Sequence, residues 1–333
     1  MKPTPRERCG PALAACAASA VLMVTAAAYA QTPAAYPSKP VRIITPTAAG
    51  GSLDTSARII AQKLTEMWGQ QVTIDNRAGA GGIVGADAAA KSAPDGYTLL
   101  FASNGNIATT QALYKKIPYD PVRDFAPVIL VAETPYVLVV HPSLPAKTVA
   151  DLIRLAKAKP GTIDFASSGS GSTPHLAGEL FKTMAKVNVV HVPYKGSPAA
   201  HTSVMSGETS FEMSGLPSSL SQLKSGRLRA LGVAGAKRST IAPEIPTISE
   251  SGLPGFEANS WSSTLVPTGT PRAIITKVNA DILAALATPE VKQRMLSQGF
   301  EVVGGTPDQF AAYLKSEIAK WTKVINDSGA KPD

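Results

Sequence analysis

Cysteine is nearly absent from this chain of 333 residues, and both of its cysteines, Cys9 and Cys16, lie close to the N-terminus. The rest of the chain has no thiol, so no disulfide can stabilise it in any compartment. Its stability must come from core burial instead. About 300 residues are enough for two domains, each with a core of its own.

Dense runs of positive charge are missing as well, although the net charge is +8. Lys and Arg are scattered, and the densest groups are only Lys115-Lys116 and Lys237-Arg238. No stripe of cations is available to follow a phosphate backbone, which argues against nucleic-acid binding. A mild positive field suits the capture of small anions from solution.

Familiar catalytic patterns are also lacking. The chain has no Gly-x-Ser-x-Gly nucleophile elbow. The dinucleotide fingerprint fails twice, because Pro174 and Val84 stand where its third glycine is required. No zinc-like spacing relates the four histidines, His141, His175, His191 and His201. We therefore expect no catalytic residue, metal or cofactor, and an exported hydrolase is the less favoured alternative.

The N-terminus has the pattern of a secretory signal peptide. Basic residues at Lys2, Arg6 and Arg8 precede an uncharged, Ala-rich stretch at 12–30 that ends in Ala-Tyr-Ala. This pattern predicts cleavage near Ala30 and a periplasmic protein. Lipidation of Cys16 is an open alternative, although the apolar run mostly follows that cysteine instead of ending at it.

After residue 36, short β-rich runs alternate with segments of helical period, which is typical of an α/β fold with mainly parallel sheets. The run at 126–140 indicates a crossover out of the first domain. Predicted strands lie at 41–44, 72–75, 97–102, 163–166, 187–192 and 229–234. Predicted helices lie at 54–68, 83–91, 149–159, 174–185, 272–287, 289–298 and 306–326.

Two loops rich in Gly and Ser each join a predicted strand to a helix. The first contains Gly50, Gly51 and Ser52, and the second spans residues 168–173. Such loops present backbone N–H groups and the positive end of a helix dipole, which favour anions. A carboxylate held between them is one interpretation; ordinary tight turns and helix caps are the other.

Several further side chains are candidates for ligand contacts, and two of them also have a structural interpretation. Asp54 can cap its helix or contact the ligand, and His175 can line a cleft or pack inside. Ser103 and Asn104 follow a predicted strand at a turn-prone end of the kind that faces ligands in open sheets. Tyr194 lies just beyond another strand, within reach of an anion.

A collinear set of motifs runs through the chain after the N-terminal segment. They are YPSKPVR at 36–42, GGSLD at 50–54, DNRAGAGG at 75–82, PDGYTLL at 94–100, PYDP at 118–121, GSGSTPHLA at 169–177, HVPYKG at 191–196, LRAL at 228–231, PTISESGLPG at 246–255 and Trp261. On these motifs the chain resembles the receptors of tripartite tricarboxylate transporters, often called the Bug family of extracytoplasmic solute-binding proteins.

The resemblance implies a periplasmic-binding-protein type II (Venus flytrap) fold, in which two αβ lobes are joined by a two-segment hinge. Residues 36–138 and 248–333 would form lobe 1, and residues 139–247 would form lobe 2. It also implies a monomeric, non-catalytic receptor that binds a di-, tri- or aromatic carboxylate and delivers it to transporter membrane subunits. A periplasmic sensor that feeds a signalling partner is the alternative.

The expected ligand-binding residues combine both loops with strand-end side chains. They are Gly50, Gly51, Ser52, Asp54, Ser103, Asn104, Ser168, Ser170, Gly171, Ser172, Thr173, His175, Tyr194 and Glu212. Two positions depart from the family pattern. Residues 47–49 read Thr-Ala-Ala in place of a Phe-Pro-Pro-like run, and Glu212 replaces a shorter acidic residue. Both changes favour a larger ligand.

Overall fold

The structure is a computed structural model that describes Met1 and residues 36–331. Contacts divide the chain into Met1–Ser38 and Lys39–Asp333, and the fold below is that of the second unit. The signal peptide, its cleavage near Ala30 and the lipidation of Cys16 lie outside the described residues and stay predictions. None of the helices described between residues 36 and 331 has both the length and the hydropathy to span a bilayer.

Eleven strands form two sheets within the described residues. The first sheet has the order β11-β4-β10-β3-β1-β2. Its strands are β1 (Val41–Thr45), β2 (Val72–Asn76), β3 (Thr98–Ser103), β4 (Phe125–Thr134), β10 (Ser260–Pro267) and β11 (Glu301–Val302). The second sheet has the order β7-β6-β8-β5-β9. Its strands are β5 (Tyr136–Val140), β6 (Asp164–Ser167), β7 (Val190–Pro193), β8 (Phe211–Gly215) and β9 (Arg229–Val233).

Helices connect the strands of both sheets. They are α1 (Ser52–Trp68), α2 (Ile83–Ala90), α3 (Asn104–Ile107), α4 (Thr110–Leu113), α5 (Val149–Ala158), α6 (Thr173–Ala185), α7 (Ser197–Ser206), α8 (Leu216–Lys224), α9 (Arg272–Ala287), α10 (Pro289–Ser297) and α11 (Pro307–Ser328), with a short 3₁₀ turn at Ala80–Gly82.

The two sheets share one topological plan. Three parallel strands come first, β2-β1-β3 in one sheet and β7-β6-β8 in the other. An antiparallel strand then follows in each, β10 beside β3 and β5 beside β8. Each of these antiparallel strands enters its sheet directly after the chain has come from the other one. Both sheets are therefore mixed, not mainly parallel as the local pattern predicted.

Burial on both faces explains the apolar character of the central strands. In β3, Leu99, Leu100 and Phe101 are fully buried, and Ile43 and Ile44 of β1 lie beside them. Removing such a side chain from water stabilises the fold by about 1.5–3 kcal/mol. These strands hold the loops at their carboxyl ends on a rigid base.

The chain leaves the first sheet at Thr134 and enters the second at Tyr136. It returns between the end of β9 and the start of β10 at Ser260. The predicted crossover at 126–140 corresponds to β4 and β5. The division into lobes stays a prediction, and its boundary between residues 138 and 139 falls inside β5.

Candidate functional site

The first Gly/Ser loop joins β1 to α1, and its backbone is set by two glycines. Gly50 has φ +84°, which a residue with a side chain rarely adopts. Gly51 is the N-cap of α1 and has no side chain to accept from the first-turn N–H groups. The positive end of α1 therefore opens directly into this loop.

Asp54 is buried and is hydrogen-bonded to the backbone of the loop. It is 2% exposed, and its Oδ2 accepts from the Gly50 N–H at 2.8 Å and from Arg58 Nε at 2.8 Å. Oδ1 accepts from Asn76 Nδ2 at 2.9 Å. Burial opposes ionisation, but bonds from Arg58, Gly50 and Asn76 outweigh it and keep the pKa of Asp54 below its ordinary value. Asp54 therefore positions the loop.

A cavity of about 190 Å³ lies at this end of the first sheet. Hydroxyl groups dominate its lining, and no charged side chain contributes to it. The lining residues are Thr47, Gly51, Ser52, Leu53, Ser56, Ser103, Thr134, Ser260, Trp261, Ser262 and Phe300. We call it the hydroxyl-lined cavity. Hydroxyls and a helix N-terminus can bind an anion without a cation.

Ser103 and Asn104 have different positions relative to this cavity. Ser103 lines it and caps α3, with its Oγ donating to Asn106 Oδ1 at 2.7 Å. Asn104 is 1% exposed, and its Oδ1 accepts from Ser260 Oγ at 3.1 Å. Asn104 thus positions Ser260, which does line the cavity.

The second Gly/Ser loop joins β6 to α6, and much of its polar capacity is used within the loop. The N–H of Gly169 donates to Ser167 Oγ at 3.2 Å, and the N–H of Ser172 donates to Gly169 O at 3.3 Å. Ser172 Oγ donates to Gly169 O at 2.6 Å and caps α6. Of the predicted contacts, Ser168, Ser170, Gly171, Ser172 and Thr173 lie here, and none of them lines the hydroxyl-lined cavity.

His175 is buried beneath this loop and supports it. Its Nδ1 accepts from the Gly171 N–H at 2.9 Å, and the residue is 5% exposed. Its ring stacks on His191 with centroids 3.8 Å apart, and His191 Nε2 lies 2.6 Å from Ser167 Oγ. Of the two interpretations from sequence, packing and positioning describe this geometry better than lining a cleft.

Glu179 is the acidic side chain beside His175. Its Oε1 lies 3.9 Å from His175 Nε2, and Lys182 Nζ lies 3.5 Å from Oε2. Burial raises the pKa of Glu179, although Lys182 acts in the opposite direction.

Tyr194 and Glu212 belong to the second sheet. The Tyr194 N–H donates to Ser167 O at 2.9 Å, which ties the end of β7 to the start of the second loop. Glu212, on β8, is 3% exposed, and its Oε1 is hydrogen-bonded to His201 Nδ1. Burial, and secondly the charge of Glu212, raise the pKa of Tyr136 to about 12.

Sequence reasoning missed several residues of this region. Thr134, Ser260, Ser262 and Phe300 line the hydroxyl-lined cavity, and His201 lies against Glu212. In the sheet, Ser262 of β10 lies opposite Ser103 of β3, and Ser260 lies opposite Thr134 of β4. No group of three or more His, Cys, Asp or Glu that could hold a metal occurs within the part of the chain that the structure describes.

Sequence comparison identifies the family of this chain. A sequence model described as "Tripartite tricarboxylate transporter family receptor" matches residues 56–330. The chain belongs to this family. Protein BugT of Bordetella pertussis is 40% identical over 297 residues, covering 89% of this chain and 91% of BugT. The resemblance predicted from the motifs is confirmed, and the family is one of receptors.

Solved structures that are similar to this chain agree with the fold. An R. palustris protein solved with adipate is 39% identical, with a TM-score of 0.74, and covers 90% of this chain and 100% of that one. MatC from Rhodopseudomonas palustris, solved with malate, is 31% identical, with a TM-score of 0.70, and covers 87% and 100%. The predicted type II binding-protein fold, with two αβ lobes, is confirmed.

Proposed function

We propose that this receptor binds a small carboxylate in the periplasm and delivers it to the membrane subunits of a tripartite tricarboxylate transporter. The observation that carries the proposal is the N-terminus of α1, capped by Gly51, which opens into the hydroxyl-lined cavity. Backbone N–H groups, hydroxyls and a helix dipole supply donors to an anion there.

The distribution of acidic groups supports this choice. Asp54, the acidic residue closest to the loop in sequence, is engaged by Gly50, Arg58 and Asn76. Its charge is thereby compensated, so the repulsion of an incoming anion is weakened. A lining without Asp or Glu leaves the donors of the cavity available to a carboxylate.

The second loop supplies the other half of the proposed site. Ser168, Ser170 and Thr173 are the proposed contacts, because they lie in the Gly/Ser loop at the N-terminus of α6. The N–H groups of Gly171 and Ser172 donate to His175 Nδ1 and Gly169 O. We assign residues 139–247 to the lobe that carries them. Closure of that lobe on the lobe at 36–138 and 248–333 would sequester the ligand.

The ligands of two solved relatives support a proposal for the class of ligand. Adipate and malate, each bound by one of the solved relatives, are small dicarboxylates. We extend the range to tricarboxylates and aromatic carboxylates, because Ala48 and Ala49 are small, exposed residues beside the loop.

A thermal-shift screen of the chain from residue 31 against mono-, di-, tri- and aromatic carboxylates tests the proposal. A ligand that binds the folded state raises the melting temperature by mass action. We expect a saturable shift with at least one carboxylate, and unchanged ligand on recovery. No shift with any carboxylate, or chemical conversion of the ligand, would refute the proposal.

A variant with a bulky side chain in the first Gly/Ser loop tests whether the ligand binds at that loop. Gly51 has an extended backbone, and a Cβ there would meet only Ala48 O at 3.7 Å. Gly51→Phe should therefore fold normally but lose most of its affinity, about 100-fold or more. Val122→Phe, at a position 44% exposed, adds similar bulk elsewhere and should keep its affinity. Shortening the loop at 168–173 should also abolish binding.

Delivery to the transporter requires a separate measurement. Uptake of the identified ligand should need both this receptor and the membrane subunits, and deleting either should abolish it. If uptake persists without the receptor while the purified protein still binds the ligand, the delivery role is wrong and a sensory role becomes the better proposal.

A further inference from the structure

A cavity of about 800 Å³ has no role in the site described so far. Its lining includes Pro135, in the connection that leaves the first sheet, and residues 235–240, in the connection that returns to it. Parts of α9, α10 and β11 complete the lining. We call it the connection cavity. Among the described lining residues, it shares only Phe300 with the hydroxyl-lined cavity, and its volume is in the range of small-molecule sites.

Hydrogen bonds between the two connections fix one wall of this cavity. The N–H of Ala234 donates to Tyr136 O at 2.7 Å. The side chain of Asn259 donates from Nδ2 to Glu133 Oε2 at 2.8 Å and accepts at Oδ1 from the Tyr136 N–H at 3.2 Å. A ligand therefore meets a wall that is already ordered, which lowers the entropic cost of binding.

Apolar side chains supply much of the cavity lining. Val233, Leu286 and Phe300 are buried, whereas Leu296 and Val303 are 49% and 47% exposed. Exposed apolar side chains that lie together beside a cavity are typical of binding sites. The apolar part of a ligand would remove them from water, which favours its binding.

Two lysines provide the charges that are available to a ligand. Lys237 and Lys292 line the cavity, and both are exposed. Neither has an ion pair within the part of the chain that the structure describes. The third cation of the lining, Arg238, is paired with Glu250 at 2.9 Å. An anionic group of a ligand would therefore find two ammonium groups without a competing carboxylate.

Both acidic side chains of the lining already have partners. Oε1 of Glu301 accepts from the Thr240 N–H at 2.5 Å and from Ser239 Oγ at 2.8 Å. Oε2 of Glu133 accepts from Asn259, but burial outweighs this bond and raises the pKa of Glu133. The charge of Glu301 is compensated and that of Glu133 is disfavoured, so the lysines are the uncompensated charges of the cavity.

We propose that the connection cavity is a second ligand site, which binds a medium-chain carboxylate of about 8–12 carbons with its chain on the apolar lining and its carboxylate beside Lys237 and Lys292. This inference goes beyond the proposed function, because it concerns a cavity separate from the N-terminus of α1. A small dicarboxylate has too little apolar surface to cover the lining. A long-chain cation would be repelled by the lysines.

Isothermal titration with five ligands tests the chemistry of the site. Hexanoate, octanoate and decanoate vary the chain, and decanol and decyltrimethylammonium vary the charge. Affinity should rise about threefold with each added methylene, because each one leaves water on binding. Decanoate should bind about fivefold more tightly than decanol, and decyltrimethylammonium most weakly. No gain with chain length, or equal affinities for decanoate and decyltrimethylammonium, would refute the proposal.

A variant that fills the cavity tests where decanoate binds. Ala287 lines the cavity and is exposed at the end of α9. The indole in A287W takes the space of at least two methylenes, so decanoate affinity should fall about tenfold or more. A280W is the matched control, because Ala280 is exposed on the same helix and does not line the cavity. It should keep the affinity of the wild type.

A double variant tests the two lysines. K237Q combined with K292Q should lower decanoate affinity about fivefold and leave decanol affinity unchanged, because only the ionic contribution is lost. K115Q combined with K116Q is the matched control, since these lysines are exposed elsewhere, and it should change neither affinity. Equal losses for decanoate and decanol would contradict the role of the lysines.

The variant G51F separates this site from the first one. Decanoate should bind G51F as tightly as the wild type, and the ligand identified by the carboxylate screen should bind A287W as tightly as the wild type. Loss of decanoate binding in G51F, or unchanged binding in A287W, would refute the second site and leave the receptor function intact. If no small carboxylate binds the wild type but decanoate behaves as expected, the proposed function fails and the second site stands.

Discussion

The N–H of Gly171 donates to Nδ1 of His175 at 2.9 Å, so a residue in the first turn of α6 fixes the loop that precedes its own helix. Replacing His175 by Leu keeps much of the bulk but removes the acceptor. We expect H175L to lower ligand affinity about tenfold, because one hydrogen bond that fixes the loop is lost. Isothermal titration with the ligand from the screen measures this.

Asn at position 175 is the matched control, since its side-chain carbonyl can accept from the Gly171 N–H. H175N should recover most of the affinity lost in H175L. Equal affinities for the two variants would contradict the positioning role and favour a packing role alone.

Asp54 should stabilise the protein in a pH-dependent way. Its carboxylate accepts from Gly50, Arg58 and Asn76. We expect D54N to lower the free energy of unfolding by about 2 kcal/mol at neutral pH, because an amide replaces a charged acceptor. Urea unfolding of both proteins measures the difference.

The sign of the pH dependence follows from the lowered pKa of Asp54 in the folded state. Its contribution is fully present above the unfolded value of about 4 and is lost as pH falls through the lower folded value. The gap between wild type and D54N should therefore narrow at acid pH. A gap that stays constant down to the acid transition would show that ionisation of Asp54 contributes nothing.

Gly178 should resist any side chain, because α6 packs closely on Phe165. A Cβ at Gly178 would lie 2.5 Å from Phe165 Cδ2, and Phe165 is fully buried and stacked on His191. G178A should destabilise the protein by about 1–3 kcal/mol, despite the better helix propensity of Ala. Thermal or urea unfolding checks this.

A double-mutant cycle tests the cause of that loss. F165L removes ring atoms from the clash, so G178A should cost less in the F165L background than in the wild type. Strictly additive effects would place the strain somewhere other than the contact with Phe165.

Glu317 should be essential for attaching α11 to the first sheet. Its Oε2 accepts from Trp261 Nε1 at 2.9 Å and from Trp321 Nε1 at 3.0 Å, and all three residues are buried. E317A leaves two indole N–H groups without an acceptor and should cost about 3 kcal/mol or more. E317Q keeps one acceptor oxygen and should cost less. Similar losses in the two variants would contradict this account.

Local sequence pattern predicted most elements of the fold but missed several, among them the strands β10 and β11 and the helices α3, α4, α7 and α8. The miss of β10 matters most for the site. Its sequence is Ser-Trp-Ser-Ser-Thr-Leu-Val-Pro, which has no strict alternation of polar and apolar residues. The strand lies between β3 and β4 and is buried along most of its length, so it needs no polar face. The predicted strand at 187–192 is in fact β7 at Val190–Pro193, since only those residues pair with β6.

The sequence predicted some residues of the candidate site and missed others. Gly50, Gly51 and the loop at 168–173 stay predictions as ligand contacts; they were predicted from sequence, because glycine and serine before a helix have a local meaning. Ser260 was not predicted, because its role depends on Asn104, which lies 156 residues away. Such a pairing leaves no periodic signal.

The sequence by itself determined the α/β class, the two strand–loop–helix units and the family, because these depend on local periodicity and on contiguous motifs. Only the tertiary structure decided that both sheets are mixed, that Asp54 and His175 support loops, and that both connections between the sheets line one cavity. The reason is physical. Hydrogen bonds and burial between distant segments form only when the chain brings those segments together, and no local pattern encodes them.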